Sequence, residues 1–304
     1  MGGLKLKIVF LGTSGSMPTQ GRSSSSMAIR RKGEIILFDC GEGAQRQMVA
    51  ARIGFRRPMR IFISHLHGDH VLGLPGLIQT MTLLQRERPL HIYGPGGLAS
   101  FIRAFSSVLG DPGFTIKVYE ILGGGVVFEG QEYNVTAVEA DHDGPSWSFV
   151  LDERPRPGRF HPERAVELGV PEGPLWKRLQ QGEDVVMGDR TLVRSEEVVE
   201  PPMRGLKIAY SGDTRPTGNL VEAARGADIL IHEATFDNSL EDKATENGHS
   251  TAAQAADVAK AAGVGMLILT HISSRYPDEG VLLEQAREIF PNTRVAEDLM
   301  EVEA

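Results

Sequence analysis

Three histidines and an aspartate lie within six positions, at His65, His67, Asp69 and His70 of the segment SHLHGDH. The chain has nine histidines, so a third of them are in this segment. An apolar core does not favour such a cluster, because each buried polar group needs its own hydrogen-bond partner. Imidazole nitrogens and carboxylate oxygens bind Zn²⁺ at about 2.0–2.2 Å. The spacing therefore predicts a metal site, in which a tight turn at Gly68 directs His65 and His67 to one ion and Asp69 and His70 to a neighbour.

Further potential ligands follow predicted strands elsewhere in the chain. His142 follows YNVTAVEAD, Asp213 closes LKIAYSGD, His232 lies in ADILIHEAT, and His271 ends GMLILTH. Ligands of α/β sheets bind in the loops after the carboxyl ends of strands, so we expect these side chains to meet. Asp213 has two oxygens and can bridge two ions. Two ions about 3.5–4 Å apart can share a hydroxide nucleophile and stabilise phosphoryl transfer.

The elements that must position these residues alternate along the chain. Short apolar, β-branched runs end in Gly, Asp or His and are followed by helical stretches, which predicts an α/β protein with two sheets. The predicted strands are LKIVFLG, IILFDCG, RIFISH, LHIYGP, FTIKVYEI, EYNVTAVEAD, SWSFVLD, LKIAYSGD, ADILIHEA, GMLILTH and TRVAEDL. The predicted helices are GAQRQMVAARI, LPGLIQTMTLLQ, GLASFIRAFSSV, STAAQAADVAKAA and VLLEQAREIF.

Composition is that of an ordinary globular protein. The 304 residues are 41% hydrophobic and 24% charged, which allows one large domain or two small ones. The N-terminus predicts an opening strand and no signal peptide, and no window approaches the ~20 apolar residues of a membrane span. The single cysteine, Cys40, predicts a buried, reduced thiol in a cytoplasmic protein. The net charge of −8 does not favour a general nucleic-acid coat, but local patches decide phosphate contacts.

The stretch from Arg154 to Pro202 differs from the rest in being rich in Pro, Gly and charge, with one short helical segment, PERAVELG. It is too long for an ordinary loop, since structureless loops of that size in compact domains are usually functional or disordered. We interpret it as an insertion that leaves the main body of a domain spanning residues 1–304. Taken alone, its arginines and those of ARIGFRRPMR are more typical of solvated faces. These residues are Arg154, Arg156, Arg159 and Arg164, and Arg52, Arg56, Arg57 and Arg60.

The segment SHLHGDH resembles the signature of the metallo-β-lactamase superfamily, whose fold is an αββα sandwich with a two-metal site between the sheet edges. Within it, the chain is similar to the ribonuclease Z family of tRNA 3′-processing endoribonucleases. The matching segments span almost the whole chain and include FLGTSGSMP, LFDCGEGAQRQ, AVELGVPEGPLWKRLQQGE, KIAYSGDTRP, HEATF, GHSTAAQAA and LILTHISSRY. The insertion, together with SGDTRP, HEAT and HST, separates this family from other hydrolases of the superfamily.

The resemblance implies a role for each matching residue, with two Zn²⁺ ions per subunit. One zinc would be held by His65, His67 and His142, and the other by Asp69, His70 and His271, with Asp213 bridging. Asp69 would also accept a proton from the attacking water. His249 and the pair His232–Glu233 would support proton transfer to the leaving group.

The resemblance also implies a reaction and partners. Precursor tRNA would be cut 3′ to the discriminator nucleotide, leaving a 3′-hydroxyl on the tRNA and a 5′-phosphate on the trailer. Residues 154–202 would form an exosite arm that grips tRNA, and the enzyme would be a homodimer. One loop departs from the family's Pro-x-Lys-x-Arg-Asn pattern, since Gln20 and Ser23 replace the lysine and the asparagine. That loop is associated with sensing the substrate's 3′ end, so discrimination against mature CCA ends stays open.

Other interpretations are possible. A different phosphodiesterase or an arylsulfatase-like hydrolase of the superfamily would share the metal ligands but lack the insertion. An RNA-binding or zinc-storage protein would have no need of Asp69 beside an open metal position. The histidine segment alone is also compatible with an incidental turn or a single structural zinc. His249 could be a surface residue flanking a helix capped by Ser250 or Thr251, and His91 and His161 are predicted to lie outside the site.

Overall fold

The computed structural model describes residues 6–188 and 190–304. The part of the predicted N-terminal strand region that precedes Leu6 lies outside the described residues. Each predicted strand is confirmed, because the β-branched runs pair as strands. In chain order the strands of the described residues are β1 (Lys7–Gly12), β2 (Ser14–Gly15), β3 (Ser26–Arg31), β4 (Glu34–Phe38), β5 (Met59–Phe62), β6 (Leu90–Pro95), β7 (Ile116–Ile121), β8 (Gly125–Glu129), β9 (Tyr133–Glu139), β10 (Trp147–Glu153), β11 (Val185–Val186), β12 (Leu192–Val193), β13 (Lys207–Tyr210), β14 (Ile229–Glu233), β15 (Met266–Thr270), β16 (Ile272–Ser273), β17 (Thr293–Val295) and β18 (Glu301–Glu303).

The predicted helices also form, and GLASFIRAFSSV becomes two short helices. In chain order the helices are α1 (Ala44–Ala50), α2 (Gly68–Val71), α3 (Gly73–Leu83), α4 (Leu98–Ala104), α5 (Ser106–Leu109), α6 (Pro162–Glu167), α7 (Pro174–Gln180), α8 (Gly218–Ala223), α9 (Glu241–Glu246), α10 (Ala252–Ala262) and α11 (Gly280–Ile289). Two 3₁₀ turns cover Ser195–Glu197 and Asn238–Leu240. No helix among the described residues combines the length and apolar character needed to cross a membrane.

Two seven-stranded sheets form the body of the molecule. The first has the order β18-β1-β3-β4-β5-β6-β7, and the second has the order β17-β15-β14-β13-β10-β9-β8. Strands β4 to β7 run parallel in the first sheet, and β13, β14, β15 and β17 run parallel in the second. The carboxyl ends of parallel neighbours lie at one edge of a sheet, so loops after β5, β13, β14 and β15 gather at such edges.

An aromatic layer joins the facing surfaces of the two sheets. Phe38 and Phe62 of the first sheet contact Phe149 of the second, with ring centroids 5.7 and 5.6 Å apart. Phe38 also lies 5.7 Å from Tyr210 of β13. Because both sheets bury one face in this layer, the helices must cover their outer faces, which confirms the αββα sandwich.

Separate apolar clusters hold the helices on the outer faces. Met48 of α1 and Leu77 of α3 belong to the cluster that includes Leu37 and Ile61 of the first sheet. On the second sheet, α10 buries a row of alanines against β14 and β15. Helix α10 begins with a capping box between Thr251 and Gln254, so of the two predicted candidates, Ser250 and Thr251, it is Thr251 that caps the helix.

Contacts divide the chain into two compact units. The first comprises the described residues up to 129, together with residues 134–151 and 207–304. The second comprises residues 130–133 and 152–206, and therefore contains the predicted insertion.

The second unit contains more structure than the sequence analysis expected. Besides α6 it contains α7 and the strand pair β11–β12, and it has a small apolar core of its own. That core consists of Ala165, Val170, Leu179, Val185, Val193 and Val198. The expectation of one helix was wrong because PLWKRLQ, which forms α7 with Pro174 in its first turn, was taken as part of a Pro-Gly loop.

Candidate metal centre

The seven predicted metal ligands come together in the structure, although they follow four different strands. The segment after β5 turns into α2, so that His67 precedes the helix while Asp69 and His70 lie within it. His142 follows β9, Asp213 follows β13, and His271 follows β15. Ligand atoms of these residues lie within 4.8 Å of one another in overlapping groups of three. The strand ends gather as the sequence predicted. They bring the seven candidate ligands into one group of side chains, which we call the metal cluster.

Four ligand atoms have the spacing of a tetrahedral metal site. His70 Nε2, His271 Nε2 and Asp213 Oδ2 are each 3.3 Å apart. Asp69 Oδ2 lies 3.3 Å from His271 Nε2 and 3.5 Å from His70 Nε2. A regular tetrahedron with metal–ligand distances of about 2.0–2.2 Å has edges of roughly 3.3–3.6 Å. The five described distances among these four residues therefore match those of a tetrahedral metal site.

The remaining histidines form an adjacent group that shares Asp213. His142 Nε2 lies 3.2 Å from His67 Nδ1, and the ring centroids of His65 and His67 are 4.6 Å apart. His65 Nε2 lies 3.6 Å from Asp213 Oδ2, the same oxygen that faces His70 and His271. Asp213 is thus the residue common to both groups, in the position expected of a bridging ligand.

Two buried polar atoms in the cluster have no hydrogen-bond partner among the described residues. They are His65 Nε2 and Asp213 Oδ1, and both side chains are almost fully buried. An unpaired buried polar atom costs about 1–3 kcal/mol, so such atoms require an explanation. A cation bound between them would satisfy both, and the residues present therefore fit a metal.

Burial and neighbouring side chains set the protonation states of the ligands in the metal-free chain. Burial and the neighbouring His70 lower the pKa of His65 well below its usual value, which keeps this imidazole neutral. Burial by itself would raise the pKa of Asp213, but His271 and His70 hold it well below its usual value. Hydrogen bonds from His271 and His70 likewise overcome the effect of burial and lower the pKa of Asp69. Metal binding needs neutral imidazoles and ionised carboxylates, and His65, Asp213 and Asp69 already have these protonation states. Asp213 and Asp39 overcome the effect of burial and raise the pKa of His70 well above its usual value, so this ring must lose a proton when a metal binds.

Asp39, which the sequence analysis did not identify, orients the ring of His70. It contacts Nδ1, whereas Nε2 of the same ring faces the other ligands. Its Oδ2 lies 2.8 Å from His70 Nδ1, so this ring donates from Nδ1 and keeps Nε2 free for the cluster. Asp39 also accepts hydrogen bonds from the Ser64 amide at 2.7 Å, the Ser64 hydroxyl at 2.8 Å and the Tyr210 hydroxyl at 2.7 Å. Ser64 in turn lies 2.9 Å from His65 Nδ1. The sequence signal for Asp39 is its position directly after strand IILF, which matches the strand-end positions of Asp213 and His271.

Cys40 itself is fully buried and unpaired, as predicted. Burial and the adjacent Asp39 raise the pKa of the Cys40 thiol, so the sulfur stays protonated. It packs in the apolar cluster of the first sheet and is not part of the metal cluster.

His249 and Glu233 form a hydrogen-bonded pair beside the metal cluster. His249 Nδ1 lies 2.8 Å from Glu233 Oε1, and the His249 ring stacks on His271 with centroids 5.3 Å apart. Burial by itself would lower the pKa of His249, but Glu233 raises it to about 9. The interpretation of His249 as a surface residue is therefore wrong, since only 9% of the residue is exposed.

Thr235 connects this pair to the metal cluster and was also missed. Its hydroxyl lies 2.7 Å from Glu233 Oε2 and 2.8 Å from His271 Nδ1. The hydroxyl can donate to the carboxylate while it accepts from the imidazole, which leaves His271 Nε2 free for a metal. The motif HEATF contains Thr235, but only tertiary structure brings it to His271.

His232 does not join the predicted site. Successive side chains of a strand point to opposite faces, so His232 and Glu233 of β14 are directed apart. The His232 ring is fully buried, its Nδ1 lies 2.8 Å from the main-chain oxygen of Glu233, and its Nε2 has no partner among the described residues. Burial lowers the pKa of His232, so the ring is neutral. The geometry gives no support to a role for His232 in proton transfer.

The histidines predicted to lie outside the site do so. His91 stacks on Tyr119 with nearly parallel rings. His161 Nδ1 lies 3.3 Å from Glu163 and its Nε2 lies 2.9 Å from Glu200, within the second unit. Neither belongs to the metal cluster.

Comparisons with known proteins give two family models, several full-length relatives and similar solved structures. A family model described as Beta-lactamase superfamily domain matches residues 197–272, and another, described as Anti-Pycsar protein Apyc1, matches residues 6–106. Ribonuclease Z of Methanosarcina acetivorans and ribonuclease Z of Methanosarcina mazei are each 50% identical to this chain, over 98% of the chain and 98% of the relative. The crystal structure of the short form of human tRNase Z is similar over 97% of this chain and 98% of its own, with a TM-score of 0.72 and 30% identity.

Proposed function

Because the chain belongs to the ribonuclease Z family and has the metallo-β-lactamase fold, we propose that it is a zinc-dependent endoribonuclease that removes the 3′ trailer from precursor tRNA. The observation that carries the proposal is the ligand cluster, in which Asp213 is common to two metal positions and the His249–Glu233 pair lies alongside. The products would be a tRNA with a 3′-hydroxyl and a trailer with a 5′-phosphate. We also propose a cytoplasmic location, which the single, reduced cysteine favours.

Two zinc ions per chain fit the proposal. His65, His67 and His142 would hold one ion, and Asp69, His70 and His271 would hold the other, with Asp213 shared. When bound, such a pair of ions lowers the pKa of a water molecule and neutralises charge on the phosphate. Asp39 and Thr235 would keep His70 and His271 in the tautomer that presents Nε2.

Asp69 is suited to accept a proton from the attacking water. Its side chain is 12% exposed, whereas those of His70 and Asp213 are almost fully buried, so Asp69 lies at the solvent side of the cluster. The carboxylate is ionised, as the lowered pKa indicates. We therefore assign Asp69 two roles, as ligand and as proton acceptor.

His249 is suited to protonate the leaving 3′ oxygen of the tRNA. Glu233 keeps its ring charged near neutral pH, and the Glu233 carboxylate is fixed by the Thr214 amide at 3.0 Å and the Thr235 hydroxyl at 2.7 Å. A general acid needs such orientation because proton transfer requires hydrogen-bond contact with the leaving atom. The predicted role of the His232–Glu233 pair is thereby reduced to Glu233.

The second unit, with the predicted insertion 154–202, is proposed to bind tRNA, and the active enzyme is proposed to be a homodimer. Arg159 and Lys177 are exposed, and Arg159 interacts electrostatically with the exposed Glu163 of the same unit. Such cations supply phosphate contacts, which give affinity without sequence information.

The proposal is tested by incubating the purified chain with precursor tRNA, with and without a chelator, and mapping both ends of each product. We expect cleavage that leaves a 3′-hydroxyl on the tRNA, loss of cleavage with chelator and recovery on adding zinc. Two zinc ions per active chain should be found by elemental analysis. Hydrolysis of bis(p-nitrophenyl) phosphate without any cleavage of precursor tRNA would instead indicate another phosphodiesterase of the superfamily.

A further inference from the structure

The loop of residues 14–23 touches the metal cluster through its main chain. Its first two residues form β2, which pairs with β16 directly after His271. The amide of Ser16 donates a hydrogen bond to Asp69 Oδ2 at 2.8 Å. A Cβ placed on Gly15 would lie 2.8 Å from the His271 oxygen, so the loop approaches the cluster as closely as glycine allows. The loop therefore supplies the one main-chain donor described on the carboxylate that we assign as proton acceptor.

The base of this loop is bound to a residue near the end of the chain, Asp298. Its Oδ1 accepts a hydrogen bond from the Thr13 hydroxyl at 2.8 Å. Its Oδ2 accepts from the Ser23 amide at 2.7 Å and from Gln47 Nε2 at 2.7 Å. Thr13 precedes the loop and Ser23 is its last residue, so a single carboxylate joins the two ends at its base.

Two further contacts tie the same base down. Gln47 Nε2 also lies 2.9 Å from the Ser23 hydroxyl, which links helix α1 to the loop. Arg22 donates to the Thr13 hydroxyl at 2.7 Å and to the main-chain oxygen of Ala296 at 2.6 Å. The guanidinium of Arg22 is thus bound by groups of the protein itself. The exposed tip of the loop, residues 17–21, carries no charged side chain.

The loop tip has no comparable anchoring. Of the hydrogen bonds described for residues 17–21, each joins the tip to the loop itself, as between Thr19 and Arg22. The position of Ser16 therefore depends on the pairing of β2 with β16 and on the base, where hydrogen bonds to a charged acceptor are worth more than neutral ones.

We propose that Asp298 is a positioning residue for catalysis, which holds the loop so that the Ser16 amide fixes the Asp69 carboxylate. The inference rests on the proposed function, since it concerns the residue assigned as proton acceptor. The described hydrogen bonds of Asp298 join it to Thr13, Ser23 and Gln47 and to no metal ligand, so it acts through the loop.

The test compares Asp298→Ala with Glu297→Ala in the full-length, zinc-loaded chain. Glu297 is the exposed neighbour and loses the same charge without touching the loop, so it is the matched control. For Asp298→Ala we expect faster hydrogen–deuterium exchange in peptides covering residues 13–25 and an unchanged zinc content. We also expect kcat on precursor tRNA to fall about tenfold to a hundredfold, with KM within a few-fold of wild type, because misplacing a catalytic group mainly slows the chemical step.

Two more variants keep the test decisive. Asp298→Asn retains one acceptor oxygen and should restore part of the lost kcat. Gln47→Met removes the contacts of α1 with Ser23 and Asp298, and should loosen the same peptides even if Asp298→Ala does not fold. Unchanged exchange in residues 13–25 would overturn the proposal, and so would faster exchange with unchanged kcat. If the wild-type chain does not cleave precursor tRNA, the proposed function fails, and hydrolysis of bis(p-nitrophenyl) phosphate supplies the kcat that decides the role of Asp298.

Discussion

The carboxylate of Asp39 contacts the candidate metal ligand His70 and two neighbouring hydroxyls, those of Ser64 and Tyr210. Burial and Asp39 itself raise the pKa of Tyr210, so the phenol stays protonated and donates to the carboxylate. Asp39 thereby orients the ring of the ligand His70 directly and that of His65 through the Ser64 hydroxyl. A partner of this kind determines how strongly a ligand binds its metal.

Asp39→Asn should therefore weaken zinc binding by about 10–100-fold, because an amide cannot accept every hydrogen bond that the carboxylate accepts. Competition with a chromogenic chelator measures the affinity directly, without reference to activity. Asp242→Asn, an exposed substitution on α9, is the control and should bind zinc like wild type. Equal affinities for the two variants would show that Asp39 does not orient His70.

The His249–Glu233 pair makes the stability of the metal-free protein depend on pH. The pKa of His249 is raised from 6.5 to about 9 in the folded chain. A group whose pKa is raised on folding stabilises the fold fully below its unfolded pKa, and this contribution is lost as pH rises through the folded value. The stabilisation from His249 should therefore decline between pH 6.5 and about pH 9.

His249→Gln removes the titrating ring and should remove this decline. Urea unfolding with chelator present, at several pH values from 6 to 10, gives the difference in free energy between wild type and variant. We expect that difference to shrink as pH rises. A difference that stays constant over the whole range would mean that Glu233 does not hold a charged imidazolium.

At the scale of elements, α2 carries Asp69 and His70 and is seated on the turn after β4. The Cys40 amide donates to the His70 oxygen at 2.8 Å, and the Gly73 amide donates to the Cys40 oxygen at 2.9 Å. A Cβ placed on Gly41 would lie 2.2 Å from the main-chain oxygen of Asp69. The helix can hold two ligands in place because main chain meets main chain with no side chain between.

Gly41→Ala should push α2 away and lower both stability and zinc affinity. Overpacking of this kind costs about 1–3 kcal/mol, which urea unfolding of the metal-free protein measures. Gly123→Ala is the control, since an added Cβ there has no heavy atom within 4 Å. Zinc affinity of Gly41→Ala equal to that of the control would contradict the seating of α2 on Gly41.

At the scale of the whole molecule, every described metal ligand belongs to the first unit, and the second unit has its own core. All six core residues of the second unit lie between 157 and 202, so removing that stretch leaves no part of this core behind. Arg156 and Met203 exchange two main-chain hydrogen bonds, at 2.9 and 3.0 Å. A short linker can therefore join the two ends.

Replacing residues 157–202 with a short Gly/Ser linker should abolish cleavage of precursor tRNA through loss of binding. Hydrolysis of bis(p-nitrophenyl) phosphate and zinc content should persist, because the ligands are untouched. In the intact chain, Arg159→Ala with Lys177→Ala should raise KM for precursor tRNA and reduce its salt dependence. Arg178→Ala, whose guanidinium is paired with Glu183, is the milder control. Equal loss of both activities in a zinc-loaded linker variant would show that the second unit shapes the active site.

The sequence by itself determined the metal cluster and the sandwich. Four ligand-type residues within six positions are a local pattern, and His142, Asp213 and His271 each end a predicted strand. Parallel strands bring their carboxyl ends to one edge, so that pattern predicts proximity without any knowledge of loops. The alternation of apolar strands and helices likewise predicts an α/β protein with two sheets, and the resemblance to the metallo-β-lactamase superfamily implied the αββα sandwich.

Only the tertiary structure decided which polar residues support the ligands. Asp39 meets Tyr210 across 171 positions, Ser16 meets Asp69 across 53, and Asp298 meets Thr13 across 285. No local pattern encodes such contacts, because they depend on how loops from different strands are packed. His232 and Glu233 differ for the same reason: adjacent residues of a strand face opposite sides, and the packing of β14 between its neighbours determines that Glu233 faces the metal cluster.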